Sequence, residues 1–156
     1  MKKGARKKAI ENKKEHKVVK RRVERAHREL MKVFMKSPVT NIKFSGNRVS
    51  FNFYGHKISD RICVKKQPHV GEWSRRIGKI VIDRYFNEKD KIKEFRSLCI
   101  HEAVERFLVK TYGLNTDNEA HPVAKKKERE YLESVKGNWK GHELRVYWDW
   151  HKQGEK

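Results

Sequence analysis

The chain has 156 residues, and its 40 Lys and Arg against 20 Asp and Glu give it a formal net charge of +20. That length suffices for one compact domain with a short additional segment. The two cysteines, Cys63 and Cys99, lie far apart and form no C-x-x-C pair. This excludes a cysteine-based zinc knuckle and a disulfide-rich secreted scaffold, and we expect two buried thiols.

The positive charge has two compatible interpretations. It attracts polyanions, so DNA, RNA or an acidic partner is expected. It is also typical of the Lys-, Arg- and Glu-rich surface of heat-adapted proteins. No apolar run is long enough to span a membrane, and none follows the basic start as it would in a signal peptide. We therefore expect a cytoplasmic protein without membrane association.

Residues 1–36 form a basic arm and helix that we separate from an α+β domain at 37–156. Fifteen Lys or Arg lie in this segment against four Glu, and its first part, nearly free of apolar residues, is predicted to be a mobile arm. Apolar side chains then recur at steps of four and three, which predicts a helix ending before Pro38 and docked by one stripe, Val19, Val23, Ala26, Leu30 and Val33. The candidate contacts to nucleic acid are Lys13, Lys14, Lys17, Lys20, Arg21, Arg22, Arg25 and Arg28.

The segment "VTNIKFSGNRVSFNFYG" alternates apolar and polar residues on both sides of Ser45-Gly46-Asn47. This pattern predicts a β-hairpin with a two-residue turn. A third strand is predicted around Ile62, and the Gly- and Pro-containing stretch "KKQPHVGEWSRR" is predicted to be a loop. A further strand, Lys79–Tyr85, is apolar on both faces and is predicted to lie inside the sheet.

Two helices follow the strands. The first is predicted from Glu88, capped by Asn87, to Tyr112 before Gly113, and its apolar residues occupy most of its circumference, as in a buried helix. The second is predicted over 119–135. The fold class is therefore α+β, with a small antiparallel or mixed sheet packed against a central helix and a following helix, preceded by a long basic helix. The C-terminal aromatics, predicted to pack across the core or alternatively to stack on bases, are Trp139, Tyr147, Trp148 and Trp150.

The central helix contains the sequence "HEAVE", residues 101–105. His101 and Glu105 are four residues apart and therefore lie on one helix face, with Glu102 beside them. Because an unpaired buried carboxylate is costly, a bound cation would explain acidic residues on this helix. His121 begins the next helix, which can fold back to bring it opposite His101 and Glu105. Two histidines, one glutamate and a water form a known catalytic zinc set, in which Glu102 would be the general base.

These residues resemble the zincin metallopeptidases, specifically their minimal single-domain forms, whose helix carries H-E-x-x-H with a further ligand downstream. His101 and Glu102 match the ligand and the base of that motif. Glu105 stands where the second histidine belongs, and His121 takes the place of the downstream ligand. The resemblance covers about 79–130 and implies a zinc-dependent peptidase acting on a peptide or protein. The spacing is also similar to that in uncharacterised small proteins of archaea and their mobile elements.

Several roles stay open at the level of sequence. Mn²⁺ or Fe²⁺ is an alternative to Zn²⁺, because a carboxylate replaces an imidazole. Glu128 falls on the same helix face as His121 and is either an additional ligand, a partner of an imidazole N–H or a solvated residue. If the chain is a peptidase, the strand 79–85 is the candidate to pair with a substrate. The candidate donors to an oxyanion are Tyr112, Tyr131, His142 and Tyr147, and His69 lies in a loop that could border the site.

Three alternatives compete with the zinc peptidase. In the first, His101 is a core histidine, and Glu102 and Glu105 pair with Arg106 or Arg129. In the second, the chain is a non-enzymatic nucleic-acid-binding protein that uses its basic helix. In the third, Glu102, Glu105 and Glu128 hold magnesium in a phosphohydrolase, although histidine is a poor ligand for that ion.

Overall fold

The structure, a computed structural model, describes the backbone of residues 2–154 and the side chains of residues 11–151. Five strands and four α-helices make up the described chain, which confirms the α+β class. The strands are β1 (Val39–Ser45), β2 (Arg48–Phe53), β3 (His56–Lys65), β4 (Gly71–Trp73) and β5 (Lys79–Asp83). The helices are α1 (Lys2–Lys36), α2 (Ile92–Tyr112), α3 (His121–Ser134) and α4 (Trp139–Gly154).

The sheet is mixed, with the spatial order β1-β2-β3-β5-β4. β3 and β5 run parallel, whereas the other neighbouring strands are antiparallel. The hairpin prediction is confirmed, since β1 and β2 are joined through Gly46, which adopts φ +59°, and Asn47. The prediction of a plain loop before β5 is wrong in one respect: it contains the short strand β4, which pairs with β5 and forms one edge of the sheet.

The central helix α2 ends as predicted and begins later. Gly113 adopts the left-handed conformation, and its N–H donates to the carbonyl of Val109 at 3.0 Å. Asn87 does not cap the helix, because two 3-10 turns, Arg84–Phe86 and Lys89–Lys91, precede Ile92. The buried ring of Phe86 anchors the first of these turns to the core.

The basic helix α1 begins at Lys2 and includes the segment predicted to be a mobile arm, whose side chains before residue 11 lie outside the described part. The predicted docking stripe is wrong for Val19, Val23, Ala26 and Val33, which are exposed, and is confirmed only for Leu30, which packs against the core. Val19, Val23 and Val33 are about half exposed, and the fully buried side chain is Phe34. Over residues 11–36, the side chains that pack on the domain lie from His27 onward, and the buried face there is centred on Phe34. Every side chain over 11–26 is exposed.

The C-terminal segment is a helix, and its aromatic residues do not form the predicted packing cluster. Trp139 is buried, but Tyr147, Trp148 and Trp150 each expose half or more of their surface. The thiols of Cys63 and Cys99 are free, the second fully buried and the first half-buried. Within residues 2–154, no helix combines the length and the apolar character needed to cross a bilayer.

Candidate metal centre

The helix α2 places the HEAVE residues in the interior. The predicted burial of α2 is confirmed, because its residues from Phe95 to Leu108 are buried apart from Arg96 and Arg106. His101, Glu102 and Glu105 are each 7 % exposed. Polar groups at this depth require partners, and the partners define the site.

His101, Glu105 and His121 converge on one point. The Nε2 atom of His101 lies 3.1 Å from Oε2 of Glu105, and Nδ1 of His121 lies 3.2 Å from the same oxygen. One donor atom from each residue falls within 4.8 Å of the other two. Ligands placed about 2.1 Å from a tetrahedral zinc are roughly 3.4 Å apart. The two observed N–O distances are within a few tenths of an ångström of this value, so the three groups suit a small cation.

His121 is held in place by a turn that the sequence did not predict. A single π-helical turn, Thr116–Ala120, immediately precedes α3. Oε1 of Glu119 in this turn accepts from the backbone N–H of Asn115 at 2.7 Å and contacts Nδ1 of His27 on α1 at 3.0 Å. The turn therefore fixes the start of α3, where His121 is the first residue.

The carboxylate of Glu105 is oriented by β4. The indole N–H of Trp73 donates to Oε1 of Glu105 at 3.0 Å, which leaves Oε2 for the two imidazoles. Burial acts to raise the pKa of Glu105, but the hydrogen bonds from His101, His121 and Trp73 outweigh it and hold the pKa at about 2. Glu105 is therefore an anion at neutral pH, and its charge suits it to bind a cation.

Glu128 lies behind His101 and not beside the cluster. Its Oε1 accepts from Nδ1 of His101 at 2.6 Å, and its Oε2 accepts from Nε2 of His142 at 2.5 Å. Burial acts to raise the pKa of Glu128, but hydrogen bonds from His101 and His142 lower it to about 2. Of the roles considered for Glu128, the structure matches the partner of an imidazole N–H.

The same carboxylate charges act on His101. Burial by itself lowers the pKa of a histidine, but hydrogen bonds to Glu105 and Glu128 raise the pKa of His101 well above its ordinary value. A metal ion that binds to Nε2 of His101 would therefore have to displace the proton that the carboxylates favour on this ring.

Glu102 has a separate environment. A Cβ atom at Gly71 of β4 would lie 2.7 Å from Oε1 of Glu102, so the glycine gives the carboxylate its space. Burial raises the pKa of Glu102 to about 8; the charge of His101 opposes this shift, and the nearby carboxylates of Glu105 and Glu128 add to it. A carboxylate with a pKa near neutrality is suited to general acid–base work.

The cluster opens into a cavity of about 500 Å³ between α2, β4, α3 and α4. His101, Glu102, Glu105 and His121 line one side, and Val146, Tyr147 and Trp150 of α4 line the other. His69 lies beside this wall, with its ring 5.5 Å from that of Trp150.

Of the four predicted oxyanion donors, two lie elsewhere. Tyr112 contacts His56 through its hydroxyl at 3.3 Å, and Tyr131 packs near Phe44. His142 and Tyr147 line the cavity, but both ring nitrogens of His142 are already hydrogen-bonded, to Glu128 and Glu94. Tyr147 is therefore the remaining candidate among the four.

The first alternative is wrong in its arginine pairs, although His101 is a buried histidine with both ring nitrogens partnered, as that alternative expected. The third alternative, the magnesium set, is also wrong. The arginines do not pair with the glutamates of the motif, because Arg106 binds Asp60 at 3.1 Å and Arg129 binds Glu133 at 2.7 Å. The three-glutamate magnesium set does not form, since both oxygens of Glu128 accept from imidazoles.

The strand predicted to pair with a substrate is also wrong. β5 lies between β3 and β4, so both its edges are already hydrogen-bonded. The edge strands of the sheet are β1 and β4, and Gly71 of β4 lines the cavity. No alternation marked these three residues as a strand, because β4 is too short to show a period.

The site includes residues that the sequence reasoning missed. Trp73 and Gly71 carried no motif, and their roles depend on the pairing of β4. Glu94 and Arg145 belong to a chain of contacts that continues from Glu128 through His142. Glu94 precedes His101 by seven residues, and this spacing by itself indicates that the two residues share a helix face.

The basic residues of α1 do not belong to this site. The eight predicted contacts to nucleic acid, from Lys13 to Arg28, are all exposed, and no carboxylate among the described side chains pairs with them.

Comparison of the chain with protein-family models, curated proteins and solved structures gave no match.

Proposed function

We propose that the chain is a metal-dependent hydrolase, a minimal zincin-type metallopeptidase that holds Zn²⁺ through His101, Glu105 and His121. The observation that carries the proposal is the convergence of two imidazole nitrogens on one oxygen of Glu105, at 3.1 and 3.2 Å. Two histidines and one glutamate are a ligand set of catalytic zinc sites. Mn²⁺ and Fe²⁺ are the alternative ions, because the set contains a carboxylate.

In this proposal the protein side chains have distinct roles. The cation would polarise the substrate carbonyl and make a water more acidic. Glu102 takes the proton from the attacking water, a role that its position on the cavity wall and its raised pKa support. Tyr147, on the opposite wall, is the candidate donor to the developing oxyanion.

The proposed substrate is an extended peptide or protein segment. The free edge of β4 can add such a segment to the sheet by main-chain hydrogen bonds. Gly71 of that strand is in contact distance of Glu102, and Trp73 contacts Glu105, so a segment on this edge would lie beside the cluster. A cytoplasmic location is part of the proposal and is supported by the free thiols, which persist in a reducing compartment.

Elemental analysis of the untagged protein tests the metal site. We expect about one zinc, manganese or iron per chain, absent from His101→Ala and His121→Ala because each removes a ligand. His56→Ala is the matched control, since His56 lies at the start of β3 and contacts Tyr112. Glu102→Gln should keep the metal and lose cleavage of a mixed peptide library. A wild-type protein that contains no metal and takes up none of the three ions would refute the proposal.

A second function is favoured by a separate observation, the exposure of every side chain over 11–26 of α1 together with its excess of Lys and Arg. We propose that this helix binds DNA or RNA through phosphate contacts. As the sole function it is the alternative to the enzyme, and as a second function it is compatible with it, because the exposed turns lie outside the cavity.

A further inference from the structure

Behind the proposed metal ligands runs a line of alternating basic and acidic side chains. It extends from His101 through Glu128, His142 and Glu94 to Arg145, and it joins α2, α3 and α4. Resting on the proposed function, we infer that His142, fixed by Glu94 and Arg145, is a positioning residue that orients Glu128 and through it sets which nitrogen of His101 faces the metal.

The first step concerns the tautomer of His101. Its Nδ1 atom lies 2.6 Å from Oε1 of Glu128, and an anionic carboxylate oxygen only accepts hydrogen bonds. Nδ1 therefore carries a proton, and Nε2, which faces Glu105, is the atom that offers a lone pair to a metal ion. Ligating histidines commonly depend on such an outer partner for ring orientation and basicity.

The second step concerns what holds Glu128. Its side chain is buried, and the contacts to its two oxygens are the imidazoles of His101 and His142. The ring of His142 is fully buried, so its Nε2–H contact to Oε2 is protected from competing water. Without His142, one oxygen of a buried carboxylate would lose its donor, and the carboxylate would be free to turn away from His101.

The third step fixes His142 itself. Its Nδ1 atom lies 2.9 Å from Oε1 of Glu94, and Nε of Arg145 donates to both oxygens of Glu94 at 2.8 and 2.9 Å. Glu94 thus accepts from one buried imidazole and one guanidinium that is 39 % exposed. Arg145 is the last member of this series of contacts, and solvent can stabilise its charge because its side chain is partly exposed.

The test uses the full-length chain, stripped of metal and titrated with Co²⁺, whose visible absorption reports ligand number and geometry. His142→Leu keeps a similar volume and removes both nitrogens, and we expect Co²⁺ affinity to fall about 10- to 100-fold with an altered spectrum. His142→Gln retains an N–H that can reach Glu128 and should recover most of the affinity and the wild-type spectrum. His56→Gln, away from the site, should match wild type.

Two further outcomes complete the test. Thermal melting of each metal-free variant checks that it is folded, and a folded His142→Leu protein with wild-type affinity and spectrum overturns the inference. If His142→Leu does not fold, Arg145→Met decides, because its side chain is partly exposed: we expect a several-fold loss, and unchanged binding and spectrum overturn the inference. If wild type binds no Co²⁺, the metal site itself fails, which is a distinct result.

Discussion

Glu105 stands where a zincin-type motif has its second histidine, and its surroundings account for the carboxylate. The indole N–H of Trp73 is a donor only, and it needs an acceptor at this position. A carboxylate accepts from Trp73 with one oxygen and offers the other to the metal side. A ligating histidine would instead present its second nitrogen as an N–H, so that two donors would face each other.

The contact between Trp73 and Glu105 predicts that placing the second histidine of the zincin motif at position 105 weakens metal binding. We expect Glu105→His to weaken Zn²⁺ binding about 10-fold or more, because the imidazole N–H opposes the indole N–H of Trp73. The double variant Glu105→His with Trp73→Phe removes the conflicting donor and should bind more tightly than the single variant. Competition titration with a chromophoric chelator measures both. A single variant that binds as well as wild type would contradict this role of Trp73.

At the scale of elements, α1 is attached to the domain by its end. The ring of Phe34 is fully buried and lies 5.0 Å from those of Tyr54 and Tyr112. The buried ammonium of Lys127 on α3 donates to the carbonyl of Met35 at 3.0 Å, which satisfies a backbone acceptor at the C-terminus of the helix. Over residues 11–26, every side chain is exposed.

The attachment gives a stability prediction with a control on the same helix. Phe34→Ala should lower the free energy of unfolding by about 3–5 kcal/mol, the usual cost of removing a buried aromatic ring. Val23→Ala, at a position that is 46 % exposed, should change it by less than about 0.5 kcal/mol. Urea titration followed by circular dichroism measures both values. Equal effects of the two changes would show that the buried face of α1 is not centred on Phe34.

At the scale of the whole molecule, the basic helix α1 and the candidate metal centre are separated in space. The carboxylates and imidazoles of the candidate metal centre lie inside the α+β domain, whereas α1 presents its Lys and Arg side chains to solvent. Among the described side chains, α1 contacts the domain through its last turns, which include the contact of His27 with Glu119. Substitutions in α1 before His27 should therefore leave metal binding largely unaffected, and substitutions at the metal centre should leave nucleic-acid binding largely unaffected.

Deletion of residues 1–26 tests this separation. We expect the shortened protein to lose most of its affinity for DNA or RNA, with a smaller dependence on salt, because each lost phosphate contact removes about 0.9 from the slope of log K against log salt. Metal content should be retained, since Phe34 and His27 remain. Fluorescence anisotropy at several salt concentrations, beside elemental analysis, gives both readings. An unchanged affinity would assign nucleic-acid binding to another part of the protein. No affinity of the full-length chain for DNA or RNA would exclude this function.

Much of the fold could be predicted because it depends on local patterns. Alternation predicted the first hairpin, and Gly113 and Pro38 marked helix ends for steric reasons that act within a few residues. The same logic failed for β4 and for the docked face of α1. A strand of three residues, such as β4, is too short to show alternation. The spacing of Val19, Val23 and Val33 did not show which turns of α1 pack against the domain.

For the candidate centre, sequence by itself determined the residue types and helix spacing that put His101, Glu102 and Glu105 together, since one α-helical turn brings positions four apart onto one face. Only the tertiary structure decided that Trp73 binds Glu105, that Glu128 lies behind His101, and that His142 continues the chain. These contacts join residues 14 to 32 positions apart. They depend on how strands and helices pack, which no local spacing encodes.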